Sequence, residues 1–246
     1  MSIAIPKTAM VLAAGLGRRM LPLTENTPKP LIEVGGVPLI NHVLDRLAGQ
    51  GVERAVVNVH HIADQMRAHL ANYQGLEVII SDETDGLLDS GGGILKALPL
   101  LGQGPWLVVN SDLILLEDDP SIPRLADFFD EAQMDFLMLL APTLETTGFE
   151  GPGDFHCAAN GVLSWRAPCE KAHYMNTGTQ IVGADVFAGL ETGAGAQAAS
   201  IKPLWHKATD NGRFYGLPIA GRALHVGDPA GRDSASLVMQ KQAEPA

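Results

Sequence analysis

The chain has 246 residues, 46% of them hydrophobic and 18% charged, and a formal net charge of −11. That is enough apolar material for one full-sized core. An acidic chain with no basic run longer than Arg18-Arg19 is a poor partner for nucleic acid, which must have many phosphates neutralised.

Thr8 to Ala14 is a continuous apolar run ending in glycines, which suits a strand buried on both faces. Pro38 to Gln50 repeats Leu39, Val43 and Leu47 every four residues, with Pro38 suited to the first turn of a helix. Arg54–His60 then reads as strand, Ile62–Leu70 as helix, Leu76–Ser81 as strand and Gly93–Leu98 as a short helix. Trp106–Asn110 reads as strand, Ser121–Ala132 as helix and Asp135–Ala141 as strand. Strand and helix alternating at this spacing imply right-handed βαβ units and an α/β, doubly wound, mainly parallel sheet.

Beyond Pro142 the pattern weakens. Gly161–Trp165, Gly178–Val182 and Arg213–Leu217 look like short strands, Thr192–Ala199 like a flexible Gly/Ala-rich loop, and Gln240–Ala246 like a frayed tail. Without a linker or repeat, residues 1–240 are expected to form one domain, an α/β half over 1–141 and an irregular half over 142–240, with 241–246 as tail. No apolar stretch approaches the length of about 18 residues that a membrane span needs, and no signal-peptide core opens the chain, so a soluble cytoplasmic protein is expected. Cys157 and Cys169 make neither a disulfide framework nor a zinc site and are expected as buried or half-buried thiols.

The most informative stretch is Leu12 to Leu31, LAAGLGRRMLPLTENTPKPL. A glycine loop directly after a buried strand lies at the carboxyl edge of the sheet, where such folds bind ligands. Gly15 and Gly17 let backbone N–H groups approach a phosphate, and Arg18, Arg19 and Lys29 bring cations to the same loop. The dinucleotide fingerprint fails, because Met20 stands where its third glycine belongs, and Glu33 sits within the Pro28-Lys29-Pro30 continuation, not at a strand end. A nicotinamide-dependent oxidoreductase is therefore disfavoured.

This string, continued by Val34-Gly35-Gly36-Val37-Pro38-Leu39, resembles the sugar-phosphate nucleotidyltransferases, which join a nucleoside triphosphate to a sugar 1-phosphate and release pyrophosphate. The resemblance implies a nucleotide site of Leu12, Ala13, Ala14, Gly15 and Gly17, with Arg19 and Lys29 on the phosphates. It adds Asn58, Asp89, Gly91 and Gly92, placing base and ribose against Leu87–Ile94 (LLDSGGGI), although Asp89 or Ser90 there also suits a helix cap. Asp112, in Asn110-Ser111-Asp112 at the end of an apolar strand, corresponds to the family's metal-binding Asp, with Arg19 and Lys29 as its catalytic companions and Mg²⁺ (or Mn²⁺) as the ion. For the sugar the resemblance implies Asp154, Asn160, Asn176 and Thr179, and Lys171 of a Glu170-Lys171 pair, which equally suits a solvated surface lysine.

One departure stands out. Relatives carry Asp in the second metal position, where LHVGDP (224–229) has His225, with Asp228 further on. Either could complete the metal site, water could fill the gap, or His225 could be a hydrogen-bonded residue with no metal role; the last case leaves room for a non-catalytic nucleotide-sugar binding protein. His60 and His61 are expected at the same crevice edge.

From its length of 246 residues, the chain is not expected to carry the β-helix of bifunctional relatives. Its short form most resembles the N-acetylmuramate 1-phosphate uridylyltransferases, and the mannose 1-phosphate guanylyltransferases share nearly all the motifs. The implied partners are UTP, or GTP in the second case, and a sugar 1-phosphate. Oligomeric state is not legible.

Overall fold

In the computed structural model, which describes residues 3–243, the first strand β1 (Thr8–Leu12) sends Ala9 and Val11 into one apolar layer and Met10 into another. Burial on both faces is why this run has no polar alternation. The chain then passes through 3-10 turns at Arg18–Met20 and Lys29–Leu31, and through a small hairpin of β2 (Glu33–Val34) and β3 (Val37–Pro38). It enters helix α1 (Leu39–Gly49), whose apolar stripe of Leu39, Ile40, Val43, Leu44 and Leu47 is buried. Next come β4 (Arg54–Val59), α2 (Ala63–Leu70), β5 (Glu77–Asp82), α3 (Asp89–Leu101) and β6 (Trp106–Asn110). β7 (Leu113–Glu117), α4 (Ser121–Phe128) and β8 (Phe136–Pro142) follow. The second half supplies β9 (Phe155–Cys157), β10 (Leu163–Trp165), β11 (Tyr174–Val182), α5 (Lys202–Asp210), β12 (Phe214–Pro218), β13 (Gly221–His225) and α6 (Pro229–Ala243).

Nine strands make one mixed sheet in the order β10-β9-β11-β6-β1-β4-β5, with β8 joined to β11 and β12 to β8. β4, β1 and β6 pair in parallel, as do β4 with β5 and β8 with β12. β10 and β11 run against the rest. Because β11 pairs with β6, the irregular half is hydrogen-bonded into the same sheet as the nucleotide-motif half. α1, α2 and α4 cover one face around Leu44, Met66 and Leu125, and α3 and α5 the other around Ile94 and Trp205. A separate ribbon of β7 and β13 packs with α6 and Met20 around Ile114, Leu224 and Ala235.

A polar knot ties α1, β7, α4 and β11 together. Arg46 donates to Ser121 Oγ (3.1 Å) and Thr179 Oγ1 (3.0 Å) and pairs with Glu117 Oε1 at 3.4 Å. Gln50 and Ser121 both donate to the Glu117 carboxylate. Burial lowers the Arg46 pKa, while Glu117 acts to raise it.

Several expectations change. The first strand stops at Leu12 and α4 at Phe128, while the helix expected from Gly93 begins at Asp89 and contains all three glycines. β7, β13 and α6 were not legible. Residues 240–243, expected as frayed tail, continue α6, and 244–246 lie outside the described residues. Residues 192–199, expected to be flexible, include a 3-10 turn at Gly193–Gly195, and Ala199 exchanges hydrogen bonds with Leu88 and Gly92. Cys157 is half-buried, its thiol pKa pushed up by that burial, but Cys169 is exposed. No helix of the described residues is long and apolar enough to cross a membrane.

Candidate active site

The carboxyl ends of β1, β4 and β6 open into a hollow of about 670 Å³. The loop after β1 forms its floor. Gly17 adopts φ +60°, and its carbonyl accepts from Thr24 Oγ1 (2.9 Å) and Met20 N–H (2.8 Å), which folds the loop back on itself. A Cβ at Gly17 would lie 3.0 Å from both Thr24 and Lys29, so the closeness of these segments depends on glycine. Gly15 has open space where its Cβ would be. Leu12, Ala13, Ala14, Gly15, Gly17, Arg19, Lys29, Asn58, Asp89 and Asp112 all line this hollow.

Asn58, at the end of β4, is 2% exposed and acts as a strut: its Oδ1 accepts the Ala13 N–H (2.6 Å) and its Nδ2 donates to Glu83 Oε1 (2.7 Å). Glu83 Oε2 in turn accepts the Leu88 N–H at 3.3 Å. This fully buried acid lines the hollow and was missed in the sequence, as were Ser90, Asn110, Ser111 and Gly227. His60 and His61 line neither this hollow nor its neighbour; His60 donates from Nδ1 to the Glu83 carbonyl (2.7 Å) behind the wall.

The resemblance placed base and ribose against Leu87–Ile94, and of that segment Leu87, Asp89 and Ser90 line the larger hollow. A Cβ on Gly91 would lie 2.8 Å from the Ala199 carbonyl oxygen, and one on Gly92 would strike the Gln197 carbonyl. At Gly93 it would meet Glu83 and Asn58. The close approach that glycine permits is made by the chain itself, and Gly91 and Gly92 line neither hollow.

A second hollow of about 220 Å³ shares Asn110 and Asp112 with the first. At the seam Lys29 Nζ lies 2.9 Å from Asp112 Oδ2, while Asp112 Oδ1 is buried without a hydrogen-bond partner. Burial pushes the Asp112 pKa up, but Lys29, with help from His225 and Arg19, holds the carboxyl below its ordinary range. His225 also lines this hollow. Its Nδ1 lies 3.1 Å from the Gly148 carbonyl, which can only accept, so Nδ1 carries a proton and Nε2 is the ring nitrogen that this contact leaves over. Asp228 is exposed, caps α6 through Gly231 N–H (2.8 Å), and lines neither hollow.

Asp154 and Asn176 line the smaller hollow, the Asn176 N–H donating to Asp154 Oδ2 at 2.9 Å. Three other sugar-side expectations are not brought there. Asn160 is exposed in the β9–β10 turn, where its Oδ1 accepts the Val162 N–H (3.2 Å). Lys171 is exposed, and the Thr179 hydroxyl is taken by Arg46. In their place stand Phe149, Trp165, Lys202 and Trp205, which the sequence did not single out.

A floor of backbone beside three cations thus adjoins a smaller hollow with aromatic lining across a Lys–Asp pair. Residues 9–143 match the MobA-like NTP transferase domain, and the chain belongs to that nucleotidyltransferase family. It is 43% identical over 229 residues to the N-acetylmuramate alpha-1-phosphate uridylyltransferase of Caulobacter vibrioides, covering 91% of this chain and 93% of that one. It is 35% identical to the protein of the same name from Neisseria meningitidis, covering 89% and 92%. Among solved structures, the inositol-1-phosphate CTP transferase from T. maritima superposes with a TM-score of 0.75 at 19% identity, covering 99% of this chain and 100% of that one. This likeness bears out the nucleotidyltransferase fold.

Proposed function

We propose that the chain is a sugar-1-phosphate uridylyltransferase that joins UTP to N-acetylmuramate α-1-phosphate, giving the UDP-sugar and pyrophosphate in the cytoplasm. The observation that carries this reading is the Lys29–Asp112 pair at the seam of the two hollows. The resemblance to the two uridylyltransferases, along nearly the whole chain, supports the choice of base and sugar.

The sugar phosphate needs no general base, because its second pKa of about 6 leaves the attacking oxygen anionic at neutral pH. What opposes reaction is repulsion between two polyanions, so the site has to position and neutralise them. The Gly15–Gly17 backbone and Arg19 hold the triphosphate, and Lys29 faces the reacting phosphates. Asp154 and Asn176 orient the sugar through its hydroxyls, against Trp165 and Trp205.

Asp112 fits a divalent cation, since its Oδ1 is buried and unpartnered while the contact of His225 Nδ1 with Gly148 leaves Nε2 as the nitrogen for a ligand. Such an ion, Mg²⁺ or Mn²⁺, would be held by these two atoms and would supply further neutralisation of the phosphates. With its carboxylate committed to the α6 cap, Asp228 is a poorer second ligand than His225.

The test is pyrophosphate release with UTP, GTP, CTP and dTTP crossed against N-acetylmuramate, N-acetylglucosamine, glucose and mannose 1-phosphates. Turnover concentrated on UTP with N-acetylmuramate 1-phosphate is expected. Preference for GTP with mannose 1-phosphate would overturn the base and sugar, and nucleotide binding without turnover on any pair would leave a binding protein.

A further inference from the structure

The smaller hollow carries a charge that a neutral sugar would not require. Lys202, the first residue of α5, lines this hollow and not the larger one. It is the one lysine or arginine among the described residues that line it, and its ammonium makes no hydrogen bond or ion pair with another described residue. Arg18, Arg19 and Lys29 all line the larger hollow, whose seam with the smaller one is Asn110 and Asp112. The phosphate of a sugar 1-phosphate has to reach that seam to meet the nucleotide, and there it has Lys29. A cation that lines only the smaller hollow therefore faces the sugar and its substituents. Of the polar side chains away from the seam, Asp154 Oδ2 accepts the Asn176 N–H, and Asn176 Oδ1 accepts the Gly178 N–H at 2.6 Å. Trp165 and Trp205 add aromatic lining. An unpaired ammonium beside such walls suits an anion borne by the sugar itself.

We propose that Lys202 binds the carboxylate of the lactyl ether by which N-acetylmuramate differs from N-acetylglucosamine, and thereby sets the choice of sugar. This rests on the functional reading above and deepens it. A charge-assisted hydrogen bond, discounted for the exposure of Lys202, corresponds to about 10-fold in discrimination.

The experiment uses the full chain with UTP and compares kcat/KM for N-acetylmuramate and N-acetylglucosamine 1-phosphates in the wild type and in Lys202→Met, Lys202→Arg and Lys202→Glu. The ratio of the two sugars is expected to fall about 10-fold in Lys202→Met, to fall further in Lys202→Glu, and to be largely retained in Lys202→Arg. A parallel loss with both sugars would assign Lys202 to the shared phosphate and overturn the proposal, as would an unchanged ratio. Failure of the underlying reading shows separately, in the wild type alone: if it turns over other pairs and rejects N-acetylmuramate 1-phosphate, both fall.

Discussion

Replacing Arg46 by Met removes the counter-charge of Glu117 while leaving both hollows untouched. The two side chains are 10% and 7% exposed, so each charge is held largely out of water. In the variant the Glu117 carboxylate keeps its donors from Gln50 and Ser121 but loses its cation. Breaking a buried pair from one side costs about 3–5 kcal/mol, a large share of the total of about 5–15 kcal/mol typical of a folded domain. For a chain of this length that lowers Tm by about 6–20 °C. Glu117→Gln alone strands the arginine and is also destabilising. The double variant carries neither charge and is expected to be more stable than the sum of the single losses by at least about 1 kcal/mol. Urea unfolding of the four proteins measures this cycle. Pyrophosphate release well below the lower Tm is expected to stay within a few-fold of wild type, because Arg46 lines neither hollow. A loss below about 1 kcal/mol in Arg46→Met, or strictly additive single losses, would refute the account of a coupled buried pair.

Four further outcomes follow from the site and its surroundings. Lys29→Met is expected to lower kcat by about 10²–10³-fold with unchanged far-UV circular dichroism; near-normal turnover would remove Lys29 from the chemistry. Gly178→Ala places a Cβ 2.5 Å from Asn110 Cβ at φ +73°, so it should cost at least about 1–2 kcal/mol of stability in urea and also reduce kcat/KM, because Asn110 lines both hollows. Chelation with EDTA is expected to abolish pyrophosphate release, and Mn²⁺ to restore it at lower concentration than Mg²⁺, since imidazole favours the softer ion; equal potency would argue against His225 as a ligand. The Asp82 carboxyl, held by Thr84 and Arg67, titrates at about 2, below its usual value. Its stabilisation is therefore complete above the unfolded pKa of about 4 and lost as the pH falls towards 2; carboxyl NMR should show a midpoint near 2, and a midpoint near 4 would contradict the network.

Sequence periodicity exposed the parallel strands because burial on both faces leaves uninterrupted apolar runs such as Trp106–Asn110. Much of the lining of the larger hollow was legible because Leu12 to Lys29 compresses it into one long motif. Much of the smaller hollow was not, because Phe149, Trp165 and the α5 pair Lys202 and Trp205 come from three separated segments and meet only through the pairing of β9 with β10 and β11 and the packing of α5. Leu113–Glu117 is apolar but lies straight after Asn110-Ser111-Asp112, so its turn into a separate ribbon had no local marker. Helix α6 shows little amphipathic pattern, since Ala, Gly and Ser dominate its first turns. The glycines at 91–93 correctly signalled a close approach, but glycine records only that space is needed. It does not record whether a ligand or the chain's own carbonyls take it.

The strip from Gln197 to Ile201 ties the linings of the two hollows together at a shared joint. Its carbonyls press on Gly91 and Gly92, Ser90 of the larger hollow accepts the Ile201 N–H through its hydroxyl (3.2 Å), and the next residue is Lys202 of the smaller hollow. The C-terminal half is for this reason not an interchangeable cassette. A chimera that borrows another enzyme's sugar pocket has to bring its own partner for Leu88–Gly93, or keep residues 197–201 and change only what lies beyond them. New sugar specificities are thus more accessible by substitution at the ends of β9, β10 and α5 than by exchange of the half as a block.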